Sequence, residues 1–272
     1  MTTTTRPVRR VGELLRDWRQ SRRMSQLDLS IETGISARHL SFVETGRSRP
    51  SPELILRLAE QLDVPLADRN TILLAGGYAP AYPRHELDDP ELAPVRVAVR
   101  RILDGHGPFP AVLIDGHWQL VEANPAVALF TDGAAPHLLA PPVNVLRLSL
   151  HPDGMAPRIG NLPEWRTHLL ARLRQTAVAT GDAALHDLHE ELRGYPGDNG
   201  SPSAIHDPVS RVAVGLRYRH DGRELSFLST TTVFGTPLDV TVAGLAVESF
   251  FPADAATLRA LGVRGGDEVP PS

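Results

Sequence analysis

Residues 36–49 carry side chains suited to hydrogen bonding with nucleic acid. If residues 37–45 form a helix with Leu40 and Val43 facing inward, the opposite face points to solvent. We predict base contacts from four residues of that face, Ala37, Arg38, Ser41 and Phe42. An arginine there can donate two parallel hydrogen bonds to guanine, the commonest specific protein–DNA contact. The pattern therefore predicts a helix that reads double-stranded DNA.

Phe42 is a large apolar side chain on this outward face. Contact with a thymine methyl group would explain its position. Packing against the helix that follows would explain it equally well. The sequence leaves the two interpretations open.

Five short helical patterns follow one another between Val11 and Ala75. Ser25, Ser36 and Ser51 precede three of them as N-cap residues, and Gly34 ends the second helix. The turn Thr33-Gly34-Ile35-Ser36 has the length typical of a DNA-binding helix-turn-helix, whose second helix enters the major groove. The predicted core consists of Leu15, Leu27, Leu29, Ile31, Leu40, Val43, Leu54, Leu58 and Leu62.

The charge distribution agrees with a nucleic-acid-binding head on a second domain. Residues 1–50 carry ten arginines against five acidic residues, a net charge of +5, whereas residues 88–272 carry a net charge of -7. We expect a disordered arm over 1–10, the helix-turn-helix domain over 11–77 and a linker with a connecting helix over 78–107. A second domain over 108–262 and a disordered tail over 263–272 complete the predicted organisation.

The C-terminal half has a mixed pattern. Asp115-Gly116 and Asp221-Gly222 each separate two apolar runs, which predicts two β-hairpins. Helices are expected over Trp165–Thr180 and Leu185–Leu192, and a further strand over Val240–Phe250. The predicted fold class is therefore α+β, with an all-α five-helix head followed by an antiparallel sheet with helices.

A curved sheet facing helices leaves a concave apolar interior, where small-molecule sites form. The predicted lining is Trp118, Phe130, Leu146, Trp165, Leu169, Phe227, Phe234 and Phe250. These side chains could instead only fill the core. A carboxylate ligand would need a cation at the rim, and Arg147, His151 and Arg166 are the candidates.

The stretch SQLDLSIETGISARHLSFVETGRSRPS resembles the phage-repressor (XRE) class of helix-turn-helix proteins. The resemblance implies a buried ion pair between Arg19 and Glu44. It also implies phosphate contacts from five residues, Gln26, Arg19, Ser36, Arg47 and Arg49.

The segments WQLVEANPAVALF, NLPEWRTHLLARLRQTAVATGD and ELSFLSTTTVFGTPLDVTVAGLAVESFFPADAATLRAL resemble the MmyB-like regulators. The resemblance extends from about residue 11 to residue 262. It implies a PAS-like C-terminal domain that senses a small apolar, fatty-acid-like effector, with no other cofactor. Two heads reading a palindrome about one DNA turn apart would add their contacts, so we expect a homodimer.

Other functional classes find little support in the residues. Neither a G-x-S-x-G nucleophile motif nor a phosphate-binding loop is present, so we expect no enzyme. His186 and His189 could ligate a metal but lack an assignable third ligand, and no metal is expected. The chain has no cysteine, no secretory signal and no apolar run of membrane-spanning length, which suggests the cytoplasm. The alternative function is a ligand-independent DNA-binding repressor whose C-terminal domain only dimerises or binds protein.

Overall fold

The computed structural model describes residues 9–196 and 214–262. The described chain divides into two compact units. The first contains the residues up to Glu86 together with Thr236–Ala243, and the second contains Leu87–Gly235 and the residues from Gly244 onward. The predicted arm over 1–10 and tail over 263–272 fall almost entirely outside the described residues.

The first unit contains the five helices that the sequence predicts, and a sixth from its later segment. Their bounds are α1 Val11–Ser21, α2 Gln26–Thr33, α3 Ala37–Glu44, α4 Pro52–Gln61 and α5 Leu66–Ala75. The hydroxyls of Ser25, Ser36 and Ser51 accept hydrogen bonds from backbone amides in the first turns of α2, α3 and α4. Gly34 ends α2 with a φ of 68°, a conformation that favours glycine.

The core of the first unit corrects part of the predicted set. Leu15, Leu29 and Leu40 are buried with most of the others, but Leu27 and Ile31 are 60% and 70% exposed. Leu27 and Ile31 are four residues apart and share one side of α2, whereas Leu29 and Thr33 occupy the side that packs inward. The apolar composition of α2 did not reveal which side faces the core.

The segment Thr236–Ala243 lies between two strands in the sequence but belongs to the first unit. It contains a short helix, α12, Val240–Ala243. The Asp239 carboxylate accepts hydrogen bonds from the amides of Thr241 and Val242, which starts this helical turn. The predicted strand over Val240–Phe250 is therefore wrong in its first half.

The second unit is built on one five-stranded antiparallel sheet in the order β2-β1-β5-β4-β3. The strands are β1 Ala111–Ile114, β2 Leu120–Ala123, β3 Leu216–His220, β4 Arg223–Val233 and β5 Ala246–Pro252. The register of β4 and β5 places Thr231 opposite Glu248. Asp221 and Gly222 connect β3 to β4 with φ values of 48° and 71°, as a tight hairpin turn requires.

The other predicted hairpin has a longer turn than the two residues expected. The Asp115 side chain accepts hydrogen bonds from the amides of His117 and Gln119. Trp118 adopts a φ of 63°. Strand β2 therefore begins only at Leu120, because these local hydrogen bonds keep the residues between β1 and β2 in a turn.

The helices of the second unit cover both faces of the sheet. Their bounds are α6 Ala93–Gly105, α7 Ala128–Thr131, α8 Pro136–Leu139, α9 Val145–Leu150, α10 Leu162–Thr180, α11 Ala183–Arg193 and α13 Ala255–Ala260. Along β1, Val112 and Ile114 join the core that includes α10 and α11, whereas Ala111 and Leu113 join a smaller core with α6. Successive side chains of β1 therefore alternate between the two cores, as expected for a strand that is buried on both faces.

The predicted fold class, α+β with an all-α head followed by an antiparallel sheet with helices, is confirmed. No helix among the described residues is both long and apolar enough to cross a membrane.

Candidate functional site

The outward face of α3 carries the residues predicted to contact bases. Leu40 and Val43 are fully buried beneath it. Arg38 is exposed, whereas Ala37, Ser41 and Phe42 are half-buried along the same side. Ser36 caps the helix, so α3 begins at the point where its first residues can reach a duplex groove.

Phe42 lies between two arginine side chains. The guanidinium carbon of Arg38 is 5.4 Å from the centre of its ring, and that of Arg47 is 6.0 Å away. Cations over an aromatic face are attracted to it. The ring therefore supports two cations at the outward face of α3, an arrangement that neither sequence interpretation of Phe42 anticipated.

A buried ion pair connects α1 to α3. Arg19 donates from Nε and Nη2 to the two carboxylate oxygens of Glu44, at 2.7 and 2.8 Å. Gln26 donates from Nε2 to the same carboxylate at 2.8 Å. Burial alone would raise the pKa of Glu44, but the hydrogen bonds from Arg19 and Gln26 hold that pKa below its usual value. This hydrogen-bonded cluster connects three helices, because Arg19 lies on α1, Gln26 on α2 and Glu44 on α3.

These contacts change how the predicted phosphate ligands are interpreted. Arg19 is 8% exposed, and its Nη1 also donates to the Met24 carbonyl oxygen, so its guanidinium is engaged within the unit. Arg49 donates from Nη2 to the Gly76 carbonyl oxygen at 2.8 Å and stacks on Tyr78. We correct the Arg19 assignment, because a buried guanidinium whose donors are engaged within the unit has few left for DNA. Arg49 is exposed and stays a predicted phosphate contact. Gln26, Ser36 and Arg47 stay predicted phosphate contacts.

An apolar cavity of about 80 Å³ lies within the second unit. Six residues of the predicted lining do line it, namely Trp118, Phe130, Leu146, Trp165, Leu169 and Phe250. Helices α9 and α10 supply one wall, and strands β1 and β5 supply the other with Val112 and Phe250. A concave apolar interior of this kind is where proteins bind small molecules.

Three residues predicted for the pocket do not line this cavity. Arg147 forms a two-point ion pair with Glu191 at 2.8 and 2.7 Å. Phe227 is fully buried in the core beside Phe130, with ring centres 5.7 Å apart. Phe234 packs against the smaller core with α6. The sequence could not distinguish Phe227 and Phe234 from the residues that line the cavity, because an apolar residue gives no sign of which part of an interior it fills.

The charged residues of the cavity are ones that the sequence analysis missed. Arg172 and Glu248 are its charged lining residues, and they pair with each other at 2.5 Å. An available signal was Glu248, an acidic residue in the middle of the apolar run LAVESFF. The candidate Arg166 instead donates to the carbonyl oxygens of Leu192, Arg193 and Tyr195 at the end of α11.

Among the described residues, one group of side chains could hold a metal ion. His137, His151 and Asp153 have potential ligand atoms within 4.8 Å of one another. Nδ1 of His151 already accepts a hydrogen bond from the Asp153 amide at 3.0 Å, which leaves its Nε2 for an ion. His186 and His189, considered from the sequence, do not belong to this group.

An exposed helix of a helix-turn-helix and an apolar cavity in a second unit of the same chain define a two-domain regulator. Residues 15–68 match the helix-turn-helix family model, and residues 95–262 match that of the MmyB-like transcription regulator ligand binding domain. The second match covers more than half of the chain, which therefore belongs to the MmyB-like transcription regulator family. The first description names a structural motif, and the second names a ligand binding domain of transcription regulators.

Two further comparisons add little. No curated protein matches the chain. Among solved structures, the chain is similar to an RNA-binding light-oxygen-voltage receptor, with 16% identity and a TM-score of 0.26. That similarity covers 92% of this chain and 61% of the receptor chain, so the chain spans less than two thirds of its length. A TM-score this low establishes no shared fold.

Proposed function

We propose that this regulator binds a specific double-stranded DNA sequence through α3, and that a small apolar molecule in the cavity changes its affinity for that DNA. The observation that carries the proposal is the presence in one chain of an exposed, arginine-bearing α3 and a cavity lined mainly by apolar side chains.

The proposed base contacts are Ala37, Arg38, Ser41 and Phe42. Arg38 has the exposure and the donor geometry for a guanine edge. Arg47, whose guanidinium also lies against the Phe42 ring, is a proposed phosphate contact. Because Arg19 and Glu44 anchor the opposite side of α3, the reading face is held rigid before DNA binds.

The proposed effector is lipid-like, with an apolar chain or ring. The cavity is lined by aromatic and aliphatic side chains, and charge enters it only through Arg172 and Glu248 among the described lining residues. An apolar molecule gains free energy by leaving water for such a surface. The predicted fatty acid belongs to this class of molecule.

The chain path supplies a means of coupling. Glu248 on β5 lines the cavity, and the segment Thr236–Ala243, which joins β4 to β5, belongs to the first unit. We propose that an effector that displaces β5 acts on the DNA-binding unit through this segment. An effector shifts DNA affinity only by the difference between its affinities for the DNA-competent and incompetent arrangements.

We also propose that the regulator acts as a homodimer. One helix-turn-helix buries little surface on DNA, and two copies reading a palindrome about one helical turn apart would add their contacts.

The test begins with a DNA sequence selected from a random pool by the full-length protein. Fluorescence polarisation then measures its affinity with and without octanoate or 1-octanol, while native mass spectrometry reports occupancy and oligomeric state. We expect occupancy to change operator affinity, and Arg38→Ala to cost about 1–3 kcal/mol on the selected sequence alone. Unchanged operator affinity at proven occupancy would favour the ligand-independent repressor. Equal weakening of all DNA sequences by Arg38→Ala would make Arg38 a phosphate contact.

A further inference from the structure

The two charged groups that line the cavity, Arg172 and Glu248, meet where α10 packs on β5, whereas its other polar lining residues, Thr131 and Ser149, lie on α7 and α9. Arg172 of α10 donates from Nη2 to Oε1 of Glu248 at 2.5 Å and to Oγ of Thr231 at 2.8 Å. The Thr231 hydroxyl in turn donates to the same Glu248 oxygen at 2.8 Å. The three groups form a closed hydrogen-bonded triangle that is electrically neutral as a whole.

The fold holds this triangle in place. Thr231 and Glu248 are directly opposite in the register of β4 and β5, so their side chains share one face of the sheet. The Arg172 guanidinium also lies over the Trp118 ring, 4.9 Å from its centre. The Glu248 side chain is only 7% exposed and that of Arg172 is 26% exposed. Neither charge can be fully solvated when its partner is removed.

Other groups near the triangle offer no competing cation. The pKa of His168 lies below its usual value because of burial and the neighbouring Arg172, although Glu248 acts in the opposite direction. His168 is therefore neutral at neutral pH. Ser149 lies in the cavity wall, and its hydroxyl accepts a hydrogen bond from Nε1 of Trp165. Arg172 is thus the cation that a ligand inside the cavity would meet, always with Glu248 beside it.

This arrangement discriminates between head groups. A free carboxylate that approaches Arg172 also approaches the buried Glu248, and like charges in a desolvated site repel strongly. A hydroxyl or a primary amide has both a donor and an acceptor. Such a group can donate to Glu248 and accept from Arg172 without breaking the ion pair or burying a third charge.

We propose that the cavity selects a neutral amphiphile, whose hydroxyl or amide head group binds the Arg172–Glu248 pair, over the corresponding free carboxylic acid. The inference rests on the proposed apolar-effector function and specifies its ligand class. In this inference the cation is Arg172 rather than the predicted Arg147. Its partner Glu248 determines the preference for a neutral head group over a carboxylate. Glu248→Gln should reverse that selectivity, because it leaves Arg172 as an uncompensated cation.

The test compares 1-octanol, octanamide and octanoate, which share one chain length and differ in head group. Full-length protein is titrated at neutral pH, and the fluorescence of Trp118 and Trp165 in the cavity wall reports binding. In the wild type we expect octanol and octanamide to bind about ten-fold or more tightly than octanoate. In Glu248→Gln we expect octanoate to gain about ten-fold and to bind at least as tightly as octanol.

A double variant guards against a general effect of disturbing the pair. Arg172→Gln combined with Glu248→Gln keeps two neutral hydrogen-bonding groups, so octanol should still bind while octanoate gains nothing. Circular dichroism and thermal melting establish that each variant is folded. Octanoate binding to the wild type as tightly as octanol, or no gain of octanoate in folded Glu248→Gln, would overturn the head-group inference and leave the apolar-effector proposal standing. Failure of all three compounds to bind would overturn both.

Discussion

Two arginine–glutamate pairs organise the described chain, and their surroundings give them different roles. Arg19 and Glu44 meet through two parallel hydrogen bonds inside the helical unit, with Gln26 on the same carboxylate. Arg172 and Glu248 meet at a cavity wall. The first pair is closed to solvent and holds helices together, whereas the second faces a space that a ligand could fill.

At the residue scale, Arg19→Ala should destabilise the helical unit by about 3–5 kcal/mol, because it leaves the Glu44 carboxylate buried without its main partner. Hydrogen exchange of the peptides from α1 to α5 measures this opening free energy in the full-length protein. Arg16→Ala is the matched control, since Arg16 lies 3.6 Å from the same carboxylate but is 44% exposed. Its expected cost is below about 1 kcal/mol.

The same variant has a characteristic pH dependence. The folded unit lowers the pKa of Glu44, so the stabilisation is complete above the ordinary carboxyl pKa of about 4.3 and is lost as the pH falls through the lower folded value. The stability difference between wild type and Arg19→Ala should therefore shrink on acidification. A difference that is constant with pH would contradict the assignment of the loss to this ion pair.

At the element scale, the position of α3 depends on how closely α1 approaches it. Gly12 of α1 is buried, and a Cβ at that position would overlap the Val43 carbonyl oxygen and come within 2.9 Å of the Glu44 carbonyl oxygen. Both neighbours are backbone atoms at the end of α3 and cannot rotate away. The glycine is therefore needed for close approach, in a helix where alanine would otherwise be favoured.

Gly12→Ala should accordingly cost about 1–3 kcal/mol of stability in the helical unit and weaken operator binding with it. Gly105→Ala is the matched control, because nothing lies within 4 Å of a Cβ added at that helical position. We expect the control to be neutral or slightly stabilising. Hydrogen exchange of the helical unit and operator titration are compared between the two variants. Equal losses of stability and operator affinity in both would mean that the close approach of α1 to α3 is not their cause.

At the scale of the whole molecule, the chain leaves the sheet after β4, enters the first unit as Thr236–Ala243 and returns to form β5. Within that unit, Asp239 pairs with Nδ1 of His85 at 2.8 Å. Burial alone would raise the pKa of Asp239, but hydrogen bonds from His85 and from backbone amides keep it below its usual value. The carboxylate is therefore a charged anchor for a segment continuous with the cavity strands.

We expect Asp239→Ala to reduce the effect of an effector on operator affinity, because the anchor that connects β5 to the helical unit is lost. The ratio of operator affinities with and without 1-octanol should fall toward one, while 1-octanol affinity stays within about two-fold of the wild type. Asp254→Ala is the matched control, since Asp254 also accepts a backbone amide hydrogen bond but at the start of α13. An unchanged ratio in Asp239→Ala would exclude this segment as the coupling element.

Much of the fold could be predicted because the signals are local. Serine N-caps, Gly34 and the Asp221-Gly222 turn act through their own backbone, so α2, α3, α4 and the second hairpin are readable from neighbouring residues. Asp239 shows the limit. The run Val240–Phe250 is apolar enough for a strand throughout, yet its first part forms a helical turn that Asp239 caps. The other oxygen of that carboxylate is held by His85, a contact with a residue distant in the sequence that no local pattern reveals.

The amino-acid sequence by itself determined the α+β class, the helix-turn-helix and its outward face, because these follow from periodicity, capping and turn chemistry over short distances. Only the tertiary structure decided that Leu27 and Ile31 face solvent, that Arg49 is held at the end of α5, and that Arg172 rather than Arg147 reaches the cavity. The physical reason is that burial and pairing depend on which elements meet. Residues such as Arg172 and Glu248 become neighbours only after α10 packs on the sheet.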